Sequence, residues 1–206
     1  MDKITQLFNS FINNNTNQSN TNNNTNQSNT NNNTNQSNTN QKVMDELKNI
    51  KSSDIPEFSL NGVKTSGKIV EIYDGDTCKI VLLNNNILQK FNCRINGIDT
   101  PEMKPPLNKH NREVEIKNAY RCRNRLIQLS TNTSTSANID SDVKKVSLDT
   151  NTKLVHVECL EFDKYGRLLV NIYEKDSPKS LSYNDILVNE GFAKKYNGGT
   201  KDEFTY

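Results

Sequence analysis

Three strand-like runs, one long helical pattern, two more strand-like runs and a short closing helix follow one another from residue 63 of the 206-residue chain. That order predicts an α+β fold that is mainly β: a five-stranded OB-type barrel with one helix between strands 3 and 4 and a further helix near the C-terminus. The separators support it. "DG" at Asp74-Gly75 and "NNN" at Asn84–Asn86 are hairpin signals, because Asn, Asp and Gly tolerate positive φ. A two-residue loop at Asn85-Asn86 pairs Ile80 with Phe91, Cys78 with Cys93 and Thr77 with Arg94. This register puts apolar partners on one face, where a barrel core needs them.

Taken in order, the chain opens with a polar tail expected to be disordered over residues 1–42. Within it "NNNTNQSNT" occurs three times over residues 13–39 with no apolar residue, so ordering it has no burial to offset the entropy lost. A β-helix is excluded, since the repeat lacks spaced glycines and apolar residues. Residues 43–62 read as a short helix, "VMDELKNI", and a linker past Pro56. The barrel domain is expected over residues 63–206, with its first three strands in "GKIVEIYDGDTCKIVLLNNNILQKFNCRINGI". From Arg112 to Leu129 the period becomes helical: Ile116, Ala119, Cys122, Leu126 and Leu129 mark the core face, and Lys117, Arg121 and Arg125 a basic stripe. That stripe reads first as a solvated face. Residues 130–152 read as a long polar loop with little structure. "KLVHVECLEF" and "RLLVNIYE" are the last strands, and "SLSYNDILVNEG" is a helix with Ser182 as its cap, Asp185 at the capping-box position and Gly191 as its stop.

Composition narrows the function classes. A net charge of +2 says nothing by itself about a polyanionic partner. No stretch is apolar enough to span a membrane, and "MDKITQLFNSFI" lacks the pattern of an export signal, so an intracellular protein is expected. Cys78, Cys93, Cys122 and Cys159 lack CxxC spacing and only two histidines accompany them, which disfavours zinc. Cys78 and Cys93, though opposite each other, are expected as reduced, buried thiols. His110 and His156 have no partner pattern. Nothing indicates a protein partner, and a monomer is expected.

The chemistry concentrates in "RINGIDTPEMK". Pro101 fixes its own φ and pushes Thr100 into an extended conformation, so Asp99, Thr100 and Glu102 sit on a stiff strand exit. Such a corner suits capping as well as a metal or phosphate site. If the first hairpin turns at Asp74-Gly75, Asp76 opens strand 2 beside the end of strand 3, and three carboxylates converge. Like charges that close call for a cation, and a hard, oxygen-preferring one such as calcium suits them. Arg94 lies beside the cluster and "DKYGR" brings Arg167 from the opposite hairpin. Two guanidinium forks beside a carboxylate-bound cation form a phosphate clamp. Taken singly, these acids read as solvated turn residues and the arginines as their ion-pair partners. Asp74 and Gly75 are explained by the turn alone.

Together, "DGDT" (74–77), Arg94 five residues before "DTPE" (99–102), and "DKYGR" (163–167) resemble the signature segments of the staphylococcal nuclease, or thermonuclease, family. The resemblance spans about residues 66–200 and includes "LVNEGFA". It implies a calcium-dependent phosphodiesterase that hydrolyses DNA and RNA by in-line attack of an activated water on phosphorus. It assigns metal ligation to Asp76, Asp99 and the Thr100 carbonyl, water activation to Glu102, phosphate contacts to Arg94 and Arg167, and substrate binding to Lys164, Tyr165 and Tyr196. Two departures stand out: the segment 130–152 is long, and the family's paired tyrosines have one clear counterpart, in "KKYNGG". A barrel of this kind that had lost its acids would be a non-catalytic nucleic-acid or protein binding module.

Overall fold

The computed structural model describes residues 40–131, 146–148, 151–175, 181–199 and 203–205. The polar repeat and most of the loop expected over residues 130–152 lie outside these. The chain forms two compact units, Met1–Glu57 and Phe58–Tyr206. In the first, a helix, α1, runs through residues 40–49. Residues 40–42 are therefore helical and not tail. Asp45 organises it: Gln41 Nε2 and Lys48 Nζ reach its carboxylate at 3.3 and 3.1 Å, one turn away on either side. Ser52–Asp54 form a single 3-10 turn.

The second unit contains β1 (Lys64–Ile72), β2 (Thr77–Asn84), β3 (Ile87–Ile95), β4 (Ile98–Asp99), α2 (Arg112–Ser130), β5 (Val146–Ser147), β6 (Leu154–Phe162), β7 (Leu168–Glu174), α3 (Tyr183–Asn189) and β8 (Lys194–Lys195). Five long strands close on themselves in the order β1-β2-β3-β7-β6-β1. All their pairings are antiparallel except β3 with β7. The β2–β3 register is the predicted one, with Ile80 opposite Phe91, Cys78 opposite Cys93 and Thr77 opposite Arg94. Asn85 and Asn86 take φ of 48° and 63°, the left-handed pair of a two-residue hairpin turn.

Closure depends on β1, which must pair with β2 on one side and β6 on the other. Its register shifts between Ile69 and Glu71, a bulge that bends the strand. At Gly67 a Cβ would meet Leu82, Ile80 and Val157 side chains at 2.8–3.0 Å, so only glycine lets the walls approach there. Inside lie Ile69, Ile72, Ile80, Ile95, Val157, Val170 and Ile172, all fully buried. The four cysteines are free and buried, and burial pushes the Cys93 thiol up to about 12.

α2 presents the predicted Ala119, Cys122, Leu126 and Leu129 to the core, while Ile116 is only half-buried. Two charged residues share the buried face unexpectedly: Glu115 and Arg123, the latter stacked over Tyr120 at 4.8 Å. Of the basic stripe, Lys117 and Arg121 are exposed, but Arg125 clasps Glu190 with two bonds of 2.6 and 2.7 Å. Its charge joins α2 to the end of α3. The segment after α2 is less bare than the sequence suggests: β5 adds to β1, and Leu148 is buried with its N–H donated to the Val70 carbonyl. α3 is capped as predicted, Ser182 Oγ accepting the Asp185 N–H at 3.0 Å. It stops at Gly191, whose φ is +76°. The chain then returns so that β8 pairs with β4, Asp99 opposite Lys194.

Candidate active site

Three connections bring the predicted residues together. Thr77 lies opposite Arg94, and the Ile95 N–H donates to the Asp76 carbonyl at 2.8 Å, so Asp76 sits against the end of β3. The parallel β3–β7 pairing sets Arg94 opposite Leu169, which brings the "DKYGR" turn beside the same strand end. The β4–β8 pairing places the third wall, with the Tyr196 N–H donating to the Gly97 carbonyl at 2.9 Å. The result is a polar cleft of about 700 Å³ whose lining includes Asp76, Arg94, Thr100, Glu102, Lys164, Tyr165, Arg167 and Tyr196. Asp99 lies just beneath, 4% exposed.

Arg94 is the hub. Its Nη1 contacts Asp76 Oδ2 at 2.7 Å, and its Nη2 donates to the Ile98 carbonyl at 3.1 Å and lies 3.8 Å from Asp99 Oδ1. Even beside that guanidinium, burial, helped by the neighbouring Asp74 carboxylate, pushes Asp76 up to about 7. Asp74 is itself raised by burial, although it accepts the Asp76 and Thr77 N–H groups. At Asp76, burial and the Asp74 carboxylate thus work against the Arg94 guanidinium.

On the opposite wall Asp163 organises the turn. Its carboxylate accepts the N–H groups of Tyr165 and Arg167 at 2.9 Å each, and takes Arg167 Nε and Nη2 at 2.8 Å each. Burial raises Asp163, but those amides and the guanidinium outweigh it and hold the carboxyl below its ordinary value. Tyr165 is 72% exposed with Lys164 and Arg167 over its ring at 5.1 and 5.4 Å.

The residues singled out from the sequence stand in or beside this cleft, but the residues that support them were not singled out. Asp163 was legible as part of a motif, not as the anchor of Arg167. Asn184, 6% exposed, donates to the Asn96 carbonyl at 2.7 Å and so fixes the Asn96-Gly97 turn. Gly75 does not take a positive φ. A Cβ there would stand 2.2 Å from Cys122 Sγ, so the turn glycine is required by packing against α2.

The three-carboxylate convergence expected from the sequence is altered. Among the described residues no three His, Cys, Asp or Glu side chains group as a metal site. Asp76 and Asp99 instead share Arg94, and Glu102 stands exposed at the cleft rim. The donors that remain are oxygens, two of them on nearly buried carboxylates, a set that fits a hard cation such as calcium and not zinc.

Barrel and cleft together define a small β-barrel protein with an acid-and-arginine site suited to phosphate. The family model for staphylococcal nuclease homologues matches residues 92–206, more than half of the chain, and the protein belongs to that family. Membership points to a nuclease or nucleic-acid-binding role. The match begins within β3, so Asp76 lies outside it and reaches the site through the β2–β3 pairing. No curated protein matches the chain. No helix among the described residues is long and apolar enough to cross a membrane.

Proposed function

We propose that the protein is a calcium-dependent phosphodiesterase acting on DNA and RNA. The observation that carries this reading is that Asp76, Glu102, Arg94 and Arg167 line one cleft, with Asp99 tied to it through Arg94. Asp76, Asp99 and the Thr100 carbonyl are the groups that would hold the metal. Bound calcium would supply positive charge against the oxygens of the reacting phosphate. Arg94 and Arg167 orient the phosphate and stabilise the charge that builds on it as a water attacks phosphorus in line with the leaving oxygen. Asp163 grips one edge of the Arg167 guanidinium and leaves the other terminal nitrogen for a ligand. Glu102 takes the proton of the attacking water. Lys164 and Tyr165 bind along the nucleotide backbone, and Tyr196 flanks a base.

A second reading has one observation in its favour. Arg94 is already engaged by both acids, which suits a non-catalytic nucleic-acid-binding module. Plasmid digestion with calcium, and again with excess chelator, decides between them. Cleavage only with calcium, slowed by Glu102→Gln about 100- to 10,000-fold with calcium affinity retained, is expected. Full cleavage in chelator would remove the metal from the reading. Tight oligonucleotide binding with no cleavage would favour the binding module.

A further inference from the structure

Glu115 has no part in the reading above, yet it is 1% exposed at the start of a helix where Glu113 is solvated. A carboxylate is costly to bury unless its oxygens are used. Its Oε1 accepts the backbone N–H of Glu102 at 3.2 Å, thirteen residues earlier in the chain, and its Oε2 pairs with Lys109. The excursion of residues 103–111 is thus held at both ends by one side chain. Pro101 stiffens the backbone leading into Glu102, and Glu115 grips the peptide amide that joins the two residues.

We propose that Glu115 is a positioning residue for Glu102: by gripping the Glu102 amide it sets where the Glu102 carboxylate stands over the cleft. The proposal rests on Glu102 being the proton acceptor. A displacement of about 1 Å at such a group costs on the order of 100-fold in rate. Glu115 touches neither substrate nor metal, so its effect must run through Glu102.

That dependence gives the test. Single-turnover cleavage of DNA with saturating calcium is measured for the full chain, Glu115→Ala, Glu115→Gln, Glu102→Gln and the Glu102→Gln/Glu115→Ala double variant. Glu115→Ala is expected to slow the chemical step roughly 10- to 100-fold with KM changed less than about threefold. Glu115→Gln keeps an oxygen for the Glu102 amide and is expected to recover most of that loss. In the Glu102→Gln background, Glu115→Ala should cost less than about threefold, because there is no base left to misplace. Equal cost in both backgrounds, or a Gln variant as slow as Ala, would overturn the proposal. Hydrogen exchange in the unmodified protein supplies a measurement that needs no variant to fold: the Glu102 amide should be protected well beyond that of Lys104. An unprotected Glu102 amide would overturn it equally. Absence of calcium-dependent cleavage by the unmodified protein would instead fall on the proposed function itself.

Discussion

Arg94 and Gly75 show how single residues set the cleft. Arg94 uses two terminal nitrogens to reach Asp76, Asp99 and the Ile98 carbonyl, a fork that one ammonium cannot reproduce. Arg94→Lys is therefore expected to lower stability by about 1–3 kcal/mol through the lost charge-assisted bonds and to depress cleavage, despite the retained charge. A denaturant midpoint unchanged from the unmodified protein would show that the fork is not used. Gly75 is a matter of space. A Cβ placed 2.2 Å from Cys122 Sγ must displace the Asp74–Asp76 loop or α2, so Gly75→Ala should destabilise by about 1–3 kcal/mol. Adding Cys122→Ala removes the obstructing sulfur and should restore part of that loss, since Thr100 Cγ2 and the residue-122 Cβ remain at 3.0 and 3.1 Å; if the double variant is no better than Gly75→Ala alone, the sulfur clash is not the cause. The site acids and arginines were legible because they sit in short segments with fixed spacing. Glu115, Asp163 as an anchor, and the reason for Gly75 were not, because each depends on a partner that local patterning does not indicate.

At the scale of elements, the β2–β3 hairpin was fully legible: the turn residues and the alternating apolar positions specify one register, and a slip by one would expose the core face. Two-residue pairings were not. β4 with β8 and β5 with β1 lack a period of their own: the first pair is a separate two-stranded sheet, and β5 adds to β1 beyond the residues that β6 covers. The basic stripe on α2 was legible as a pattern but not as a contact, since Arg125 is paired with Glu190 sixty-five residues away. That pair gives an acid-side prediction. The bonds from Arg125 hold Glu190 below its ordinary value of 4.5. A carboxylate lowered on folding adds stability that is present above its unfolded value and is lost as pH falls through the folded one. Glu190 is 37% exposed, so solvent screens the pair and its worth is under about 1 kcal/mol. Glu190→Gln should thus lower the melting temperature slightly at neutral pH, and the gap should close as pH falls below 4.5. A gap that persists unchanged to pH 3 would assign the effect to packing, not charge.

For the whole molecule, the order of strands and helix carried the fold class, whereas closure through the parallel β3–β7 pairing rests on contacts far apart in sequence. The polar repeat has no apolar residue to contribute to such a closure, and the barrel unit begins only at Phe58. The boundary is sharp in physical terms. Phe58 lies 6.1 Å from Phe162, ring to ring. Leu60 is 3% exposed, Gly62 donates to the Cys159 carbonyl, and Cys159 donates back to Val63 at 2.8 Å. Deleting residues 1–57 should therefore leave the main melting transition within about 2 °C, because none of these contacts is removed. Extending the deletion through Val63 strips Leu60 from the core, at about 2–5 kcal/mol, and leaves Cys159 without two backbone partners. At about 2–4 °C per kcal/mol for a domain this size, the transition should fall by roughly 5–15 °C. Calorimetry of the two truncated chains distinguishes the cases. A large drop already on removing residues 1–57 would mean that the N-terminal unit supports the barrel, and that the repeat-bearing segment is more than an appendage to it.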